Sequence, residues 1–240
     1  MNVQTPLGDP VGPAVKGWSP PPRPLRVDET GRWAAIEALT PCEHAAPLHD
    51  AFADDPEGRI WTYMASGPFP DFDAFEAWIE GDCLGDDPLF FAIRDLGSGL
   101  VGGMASLMRI APSAGTIEIG NIALSPRLQR TRAATEGLFL LMDRAFALGY
   151  RRLEWKCNAL NAPSRRAAQR FGFSYEGLFR QHMVVKGRNR DTAWYAIVDG
   201  DWPAIRAAYE AWLDPSNFDG EGRQRISLAE LTAPHLVARG

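Results

Sequence analysis

No stretch of this chain stays apolar for the roughly 20 residues that a bilayer-crossing helix requires, and Met1 to Pro24 lacks the apolar centre of a secretory signal. A cytoplasmic protein with no membrane partner is therefore expected. Cysteine is scarce. Cys42, Cys83 and Cys157 are odd in number, far apart and outside any Cys-x-x-Cys pair, which argues against a disulfide frame and against a zinc site, so no metal is expected. Positive charge is short as well: 25 Lys and Arg against 30 Asp and Glu give a formal net charge of −5, and no general attraction to nucleic acid follows. Residues 124–137 contain neither Gly-x-x-x-x-Gly-Lys-Ser/Thr nor Gly-x-Gly-x-x-Gly, which removes P-loop and Rossmann nucleotide binding. Internal repeats are missing too.

What is present is a chain of 240 residues with ordinary apolar content and room for one sizeable core. Seven prolines between Pro6 and Pro24 make residues 1–25 an extended or disordered arm, pinned by Trp18. Arg32 to Leu39 alternates as a first strand. Thr40-Pro41-Cys42-Glu43 reads as a capping box opening a helix to about Ala53. An aromatic-rich connection follows, and Asp71 then caps a second helix bearing Phe72, Phe75, Trp78 and Ile79. Leu89–Arg94, Leu100–Ile110 and Thr116–Leu124 form an antiparallel meander with turns between them.

The meander runs into an amphipathic helix whose Leu138, Leu141, Met142, Ala145 and Phe146 recur at three- and four-residue steps, and Gly149 stops it. Beyond come a strand from Arg152 to Cys157, a helix from about Ser164 to Arg170, a hairpin of Phe179–Val185 and Thr192–Val198 about a Lys186–Asn189 turn, and a last helix to about Leu213. This order describes one mixed α/β (α+β) domain, residues 26–214, with a mostly antiparallel twisted sheet flanked by helices on both faces. Residues 215–240 read as a polar tail.

Arg127, Arg130 and Arg132 crowd the turn where that helix begins, at the positive end of its dipole. Cations stacked there repel one another unless an anion lies between them, so the turn is expected to hold phosphate; a solvated basic turn is the competing reading. The residues that follow resemble a known family. Gln129-Arg130-Thr131-Arg132-Ala133-Ala134 falls where the GNAT acyl-CoA N-acyltransferases carry Gln/Arg-x-x-Gly-x-Gly/Ala, whose amides hold the pyrophosphate of coenzyme A. Thr135-Glu136, Asn161-Ala162-Pro163-Ser164, Gly172-Phe173 and Glu176-Gly177-x-x-Arg180, with Gly187, Asp191 and Tyr195 beyond, resemble the ribosomal-protein N-terminal acetyltransferase (Rim-type) branch in order and spacing. The resemblance covers roughly residues 30–200 and departs at Arg130 and Arg132, where that branch uses glycine.

The resemblance implies acetyl-CoA as cofactor, held by Ile122, Leu124, Gln129, Arg130, Thr131, Arg132, Ala133, Ala134, Asn161 and Ser164. It implies transfer of an acetyl group by direct attack of a primary amine, belonging to a small molecule or a peptide N-terminus. Glu118 sits at the family's general-base offset from Leu124, with Glu154 and His182 in reserve; a solvent-facing strand glutamate is the alternative. Ala168 stands where much of the family has the tyrosine that protonates the thiolate, so that role passes to Ser164, for which a plain helix cap competes. Trp61, Tyr63 and Phe69 are expected to wall the amine site and to suit an aliphatic amine or a cation. A homodimer stays open as an assembly. So do a non-catalytic acyl-CoA-binding module and a scaffold docked through the proline-rich arm.

Overall fold

The structure, a computed structural model, describes residues 3–240. Strand β1 (Val3–Gln4) pairs with β2 (Pro10–Val11) in a small ladder within the arm. The domain then runs β3 (Glu29–Thr30), β4 (Ala34–Ala38), α1 (Pro41–Phe52), α2 (Phe72–Asp82), β5 (Leu89–Asp95), β6 (Val101–Ala111) and β7 (Thr116–Leu124). It continues through α3 (Arg132–Ala147), β8 (Arg152–Asn158), α4 (Ala162–Arg170), β9 (Ser174–Val185), β10 (Arg188–Val198), α5 (Trp202–Leu213) and α6 (Leu228–Thr232). Eight strands form one sheet in the order β3-β4-β5-β6-β7-β8-β10-β9, and only β7 and β8 run parallel. The expected mixed α/β architecture is what the chain adopts.

Both faces of the middle strands are covered, which is why β5 reads Leu-Phe-Phe-Ala-Ile without a polar break. Phe91 and Ile93 join the core under α3 and α5, whereas Phe90 and Ala92 join a second core with Leu48, Phe52, Phe75 and Ile79 of α1 and α2. Helix α3 is buried on nearly every side over Ala133–Met142, not merely along one stripe. Its outer side meets α5, where Phe139 stacks on Tyr209 and Phe146 on Trp202 at centroid distances of 4.9 and 4.6 Å. On the sheet side Gly137 lets the helix settle onto β5, since a Cβ there would come within 2.7 Å of Ile93.

Glu136 of α3 is 5 % exposed and takes backbone N–H bonds from Arg32, Trp33 and Ala34 at 3.0, 2.5 and 2.7 Å. One carboxylate thus fixes the start of β4 against the helix.

Several local expectations change. The Thr40 hydroxyl accepts no bond from the helix backbone and donates to Glu43 Oε2 at 3.3 Å, while the Thr40 amide donates to Nδ1 of buried His44 and not to Glu43. Among the described residues a capping box forms at Ser227–Glu230, at the start of α6. The β9–β10 hairpin closes on two residues, Lys186 and Gly187, both at positive φ, so its strands reach further toward the turn than the sequence suggests. The arm is held by buried Pro21 and Pro24 and by Arg23 and Arg26, which donate to the carbonyls of Asp86, Ile110 and Leu84; Trp18 is 38 % exposed.

Residues 215–240 are not a loose tail. Asn217 bonds to the carbonyls of Trp212 and Ile226, Leu228 is fully buried, and the Ala238 carbonyl accepts from Tyr175 at the edge of β9.

Cys83 and Cys157 are buried while Cys42 is exposed, and burial pushes the Cys83 thiol up to about 12 and raises that of Cys157. Near neutral pH a thiol reagent is expected to label Cys42 alone in the native protein and all three cysteines after denaturation. Prompt labelling of Cys83 in the folded state would contradict this packing. Among the described residues no helix is long and apolar enough to cross a membrane, and no cluster of three or more His, Cys, Asp or Glu is arranged to hold a metal.

Candidate active site

Strands β7 and β8 are paired only from Thr116–Glu118 to Arg152–Glu154. Beyond that point they separate. The reason is local: β7 places two residues, Asn121 and Ile122, against the single Ala105 of β6, and Asn121 takes a φ of +49°. Such a bulge bends its strand and leaves one residue's backbone out of the ladder. A cleft of about 1260 Å³ opens between the diverging strands. It runs from the turn before α3, past the starts of α3 and α4, to Tyr63, Arg109, Glu118 and Arg190.

At the α3 end, Thr131 caps the helix through its hydroxyl, which accepts from the Ala134 amide at 3.0 Å. That consumes one expected anion donor. The amides of Arg130, Arg132 and Ala133 have no acceptor among the described residues. Arg130 sits at φ +63°, in the left-handed conformation that glycine favours. Arg132 lies between the rings of Trp33 and Phe218, 4.0 and 4.7 Å from their centroids.

The third arginine is elsewhere. Arg127 is clamped by Asp54 at 2.6 Å and Asp50 at 3.0 Å and does not line the cleft, so its repulsion is relieved by these two carboxylates and not by a ligand. Gln129 lines the cleft but spends its amide on the Leu124 carbonyl. Sequence reasoning missed Arg170, which lines the cleft with no carboxylate within 4.0 Å among the described residues. It donates to Thr135 Oγ1 at 3.3 Å and lies against Phe171 and Trp212, and burial holds it below the usual arginine range.

Midway along the cleft, Ile122 and Leu124 of β7 face Asn161 and Ser164. The cap of α4 is Asn161, whose Oδ1 accepts from the Ser164 amide at 3.1 Å, so the cap reading of Ser164 is corrected. The Ser164 hydroxyl accepts from Trp155 Nε1 at 3.0 Å, which leaves its own proton free to donate.

At the far end Glu118 is 3 % exposed, which disposes of the solvent-facing alternative. Arg109 Nη1 and Lys156 Nζ both reach its Oε2, at 2.7 and 2.8 Å, and Oε1 has no partner among the described residues. Lys156 also contacts Glu154 at 2.5 Å and sits 3.9 Å over the Trp194 ring, while Arg152 holds Glu154 from the other side. Glu154 lies outside the cleft wall and so does His182, whose Nδ1 is 3.0 Å from Thr192 Oγ1. Burial, then Arg190, Arg109 and Lys156, holds His182 below its ordinary range.

Of the expected aromatic wall only Tyr63 lines this cleft. Trp61 is 4 % exposed and packs edge-on to Phe52, Phe69 and Trp78, and Phe69 joins it in the second core beside a separate cavity of about 340 Å³. The loop over residues 59–66 is tied to the hairpin by Lys186, whose ammonium donates to the carbonyls of Trp61 and Ser66 at 2.9 and 3.1 Å.

The sequence profile of the acetyltransferase (GNAT) domain matches residues 35–174. A GCN5-related N-acetyltransferase from Brucella melitensis is 47 % identical and superposes with a TM-score of 0.89 over 91 % of this chain and 100 % of that one. A probable acetyltransferase of the GNAT family from Chromobacterium violaceum is 39 % identical, with a TM-score of 0.76 over 83 % and 100 % of the two chains. RimL, the ribosomal L7/L12 alpha-N-protein acetyltransferase, shares the fold at 20 % identity and a TM-score of 0.61, over 70 % of this chain and 91 % of that one. No curated protein matches significantly. The likeness to the Rim-type branch is therefore distant and structural, and the splayed strands, the open amides before α3 and these relatives agree on one conclusion: the chain is an acetyltransferase of the GNAT family.

Proposed function

We propose that the cleft binds acetyl-CoA along the opening between β7 and β8 and that the protein moves the acetyl group to a primary amine. The observation that carries this reading is the coincidence of anion donors at one end of the cleft with a buried, half-free carboxylate at the other. Bound there, coenzyme A supplies the activated thioester; the chain supplies alignment and proton handling.

The amides of Arg130, Arg132 and Ala133, with the Arg170 guanidinium, form the diphosphate cradle. Ile122 and Leu124 flank the pantetheine arm and the Asn161 side-chain amide donates to it. Glu118 Oε1 takes the proton from the incoming ammonium, directly or through water, and the amide left out of the ladder at the bulge donates to the oxyanion. Ser164 Oγ, polarised by the Trp155 bond, would donate a hydrogen bond to the departing thiolate and pass to it the second proton that the attacking nitrogen releases, so that the serine ends as a hydroxyl. His182 is assigned no step.

Thermal melting with and without acetyl-CoA tests the cradle. At a hundredfold excess over Kd the ligand should add about 2.7 kcal/mol, a shift of about 5–10 °C for a chain of this size. Arg170→Ala should weaken that shift and Arg127→Ala should leave it intact; no shift in the wild type would remove the proposed donor. Thiol release against an amine panel then tests transfer, and binding without release would leave an acyl-CoA-binding protein. Ser164→Ala should slow turnover at unchanged acetyl-CoA affinity, and unaltered turnover would strike Ser164 from the mechanism.

A further inference from the structure

Three half-buried arginines of this protein have a carboxylate partner: Arg94 meets Glu37 at 2.6 Å, Arg144 meets Glu29 at 2.7 Å and Arg152 meets Glu154 at 2.7 Å. Arg190, at the Glu118 end of the cleft, has none. Its Nε donates to Thr192 Oγ1 at 3.3 Å, and no carboxylate lies within 4.0 Å of it among the described residues. It lines the same stretch as Arg109, Glu118 and Lys156; Arg109 and Lys156 share Glu118, Lys156 has Glu154 behind the wall as well, and Arg190 has no carboxylate. Burial and the nearby Arg109 charge both hold Arg190 below the usual arginine range. A guanidinium withdrawn from water with no anion of its own is costly, and a planar carboxylate is the group its fork fits.

We infer that the acceptor amine carries an acid group, and that Arg190, with Arg109 beside it, binds that carboxylate while the amine lies toward Glu118. This rests on the transferase reading and narrows its substrate class. The same cations serve the chemistry. They disfavour a bound ammonium and so promote the neutral amine that must attack the thioester, while the acceptor's own carboxylate offsets the repulsion that a plain alkylamine would meet. The carboxylate belongs either to a free amino acid or to an acidic residue near a peptide N-terminus.

The test uses matched pairs: glycine and glycinamide, β-alanine and its amide, and tripeptides with Asp or Glu in place of Asn or Gln at the second residue. For each, kcat/KM is read from thiol release, and Kd by calorimetry against protein saturated with coenzyme A. The acid member should be preferred by about 10- to 100-fold. Arg190→Gln should bring the ratio close to one and Arg190→Lys should keep part of it, both at unchanged acetyl-CoA Kd. The responding pair tells the free acid from the peptide. Equal values within every pair overturn the inference on the wild type alone, as does an Arg190→Gln variant that loses acetyl-CoA affinity and keeps the ratio. Acids that bind without any thiol release would sink the transferase reading and leave the recognition standing; neutral amines acetylated as well as acids would do the reverse.

Discussion

Glu136→Ala is expected to lower the melting midpoint by about 10 °C. The carboxylate accepts from three consecutive amides, those of Arg32, Trp33 and Ala34, at a site where the side chain is almost wholly buried. Alanine leaves those donors without a partner, and a buried orphan costs about 1–3 kcal/mol. Water entering the vacated space would satisfy some of them, which places the loss at about 3–5 kcal/mol rather than the full sum. Glu136→Gln keeps one acceptor oxygen and turns an amine toward the same N–H groups, so it should fall between wild type and alanine. The measurement is thermal unfolding in the absence of ligand. A midpoint lowered by less than about 2 °C would mean that β4 is held by its sheet neighbours alone.

Glu118→Gln is expected to cut turnover by about 100- to 1000-fold. It also leaves Lys156, itself almost fully enclosed, with Glu154 as its remaining carboxylate, so the loss of stability should stay below the about 3 kcal/mol of a buried pair broken outright. The two effects must be separated. In Glu118→Gln combined with Lys156→Met the half-paired ammonium is gone, an apolar chain lies under Trp194 and Glu154 keeps Arg152, so part of the stability should return while turnover should not. Recovery of turnover together with stability would show that Glu118 acts only as a counter-ion, and the proton would need another acceptor.

Local features of the fold were legible in the sequence. Asp71 caps α2, as its position ahead of an apolar face suggests, and the meander β5–β7 follows the alternation and turn residues that mark it. The start of α3 was legible as well, because a helix start is written in adjacent residues. What escaped is long-range pairing. Arg127 looks identical to Arg130 until the fold sets it against Asp50 of α1 and Asp54 just beyond that helix, and nothing in its neighbourhood announces those partners. Glu118 meets Arg109 and Lys156 only once three strands are in register. Arg170 and Arg190 are set apart by lining the cleft without a carboxylate partner, which no local pattern encodes. Trp61 and Phe69 sit among turn residues yet belong to a core, since the loop folds back over α2. The C-terminal segment, polar in composition, brings Phe218 to Arg132 and thereby helps shape the mouth of the cleft.

The Lys186 clasp bears on how this enzyme can diverge. The ammonium grips main-chain oxygens at positions 61 and 66, so the bond is indifferent to which side chains stand there. Ala65, exposed beside Ser66, can be exchanged while the hairpin and loop stay joined, whereas Gly67, where a Cβ would meet the Trp61 ring at 2.6 Å, cannot. The decoration of the rim is thereby uncoupled from its frame, which one ammonium fastens through main-chain oxygens alone.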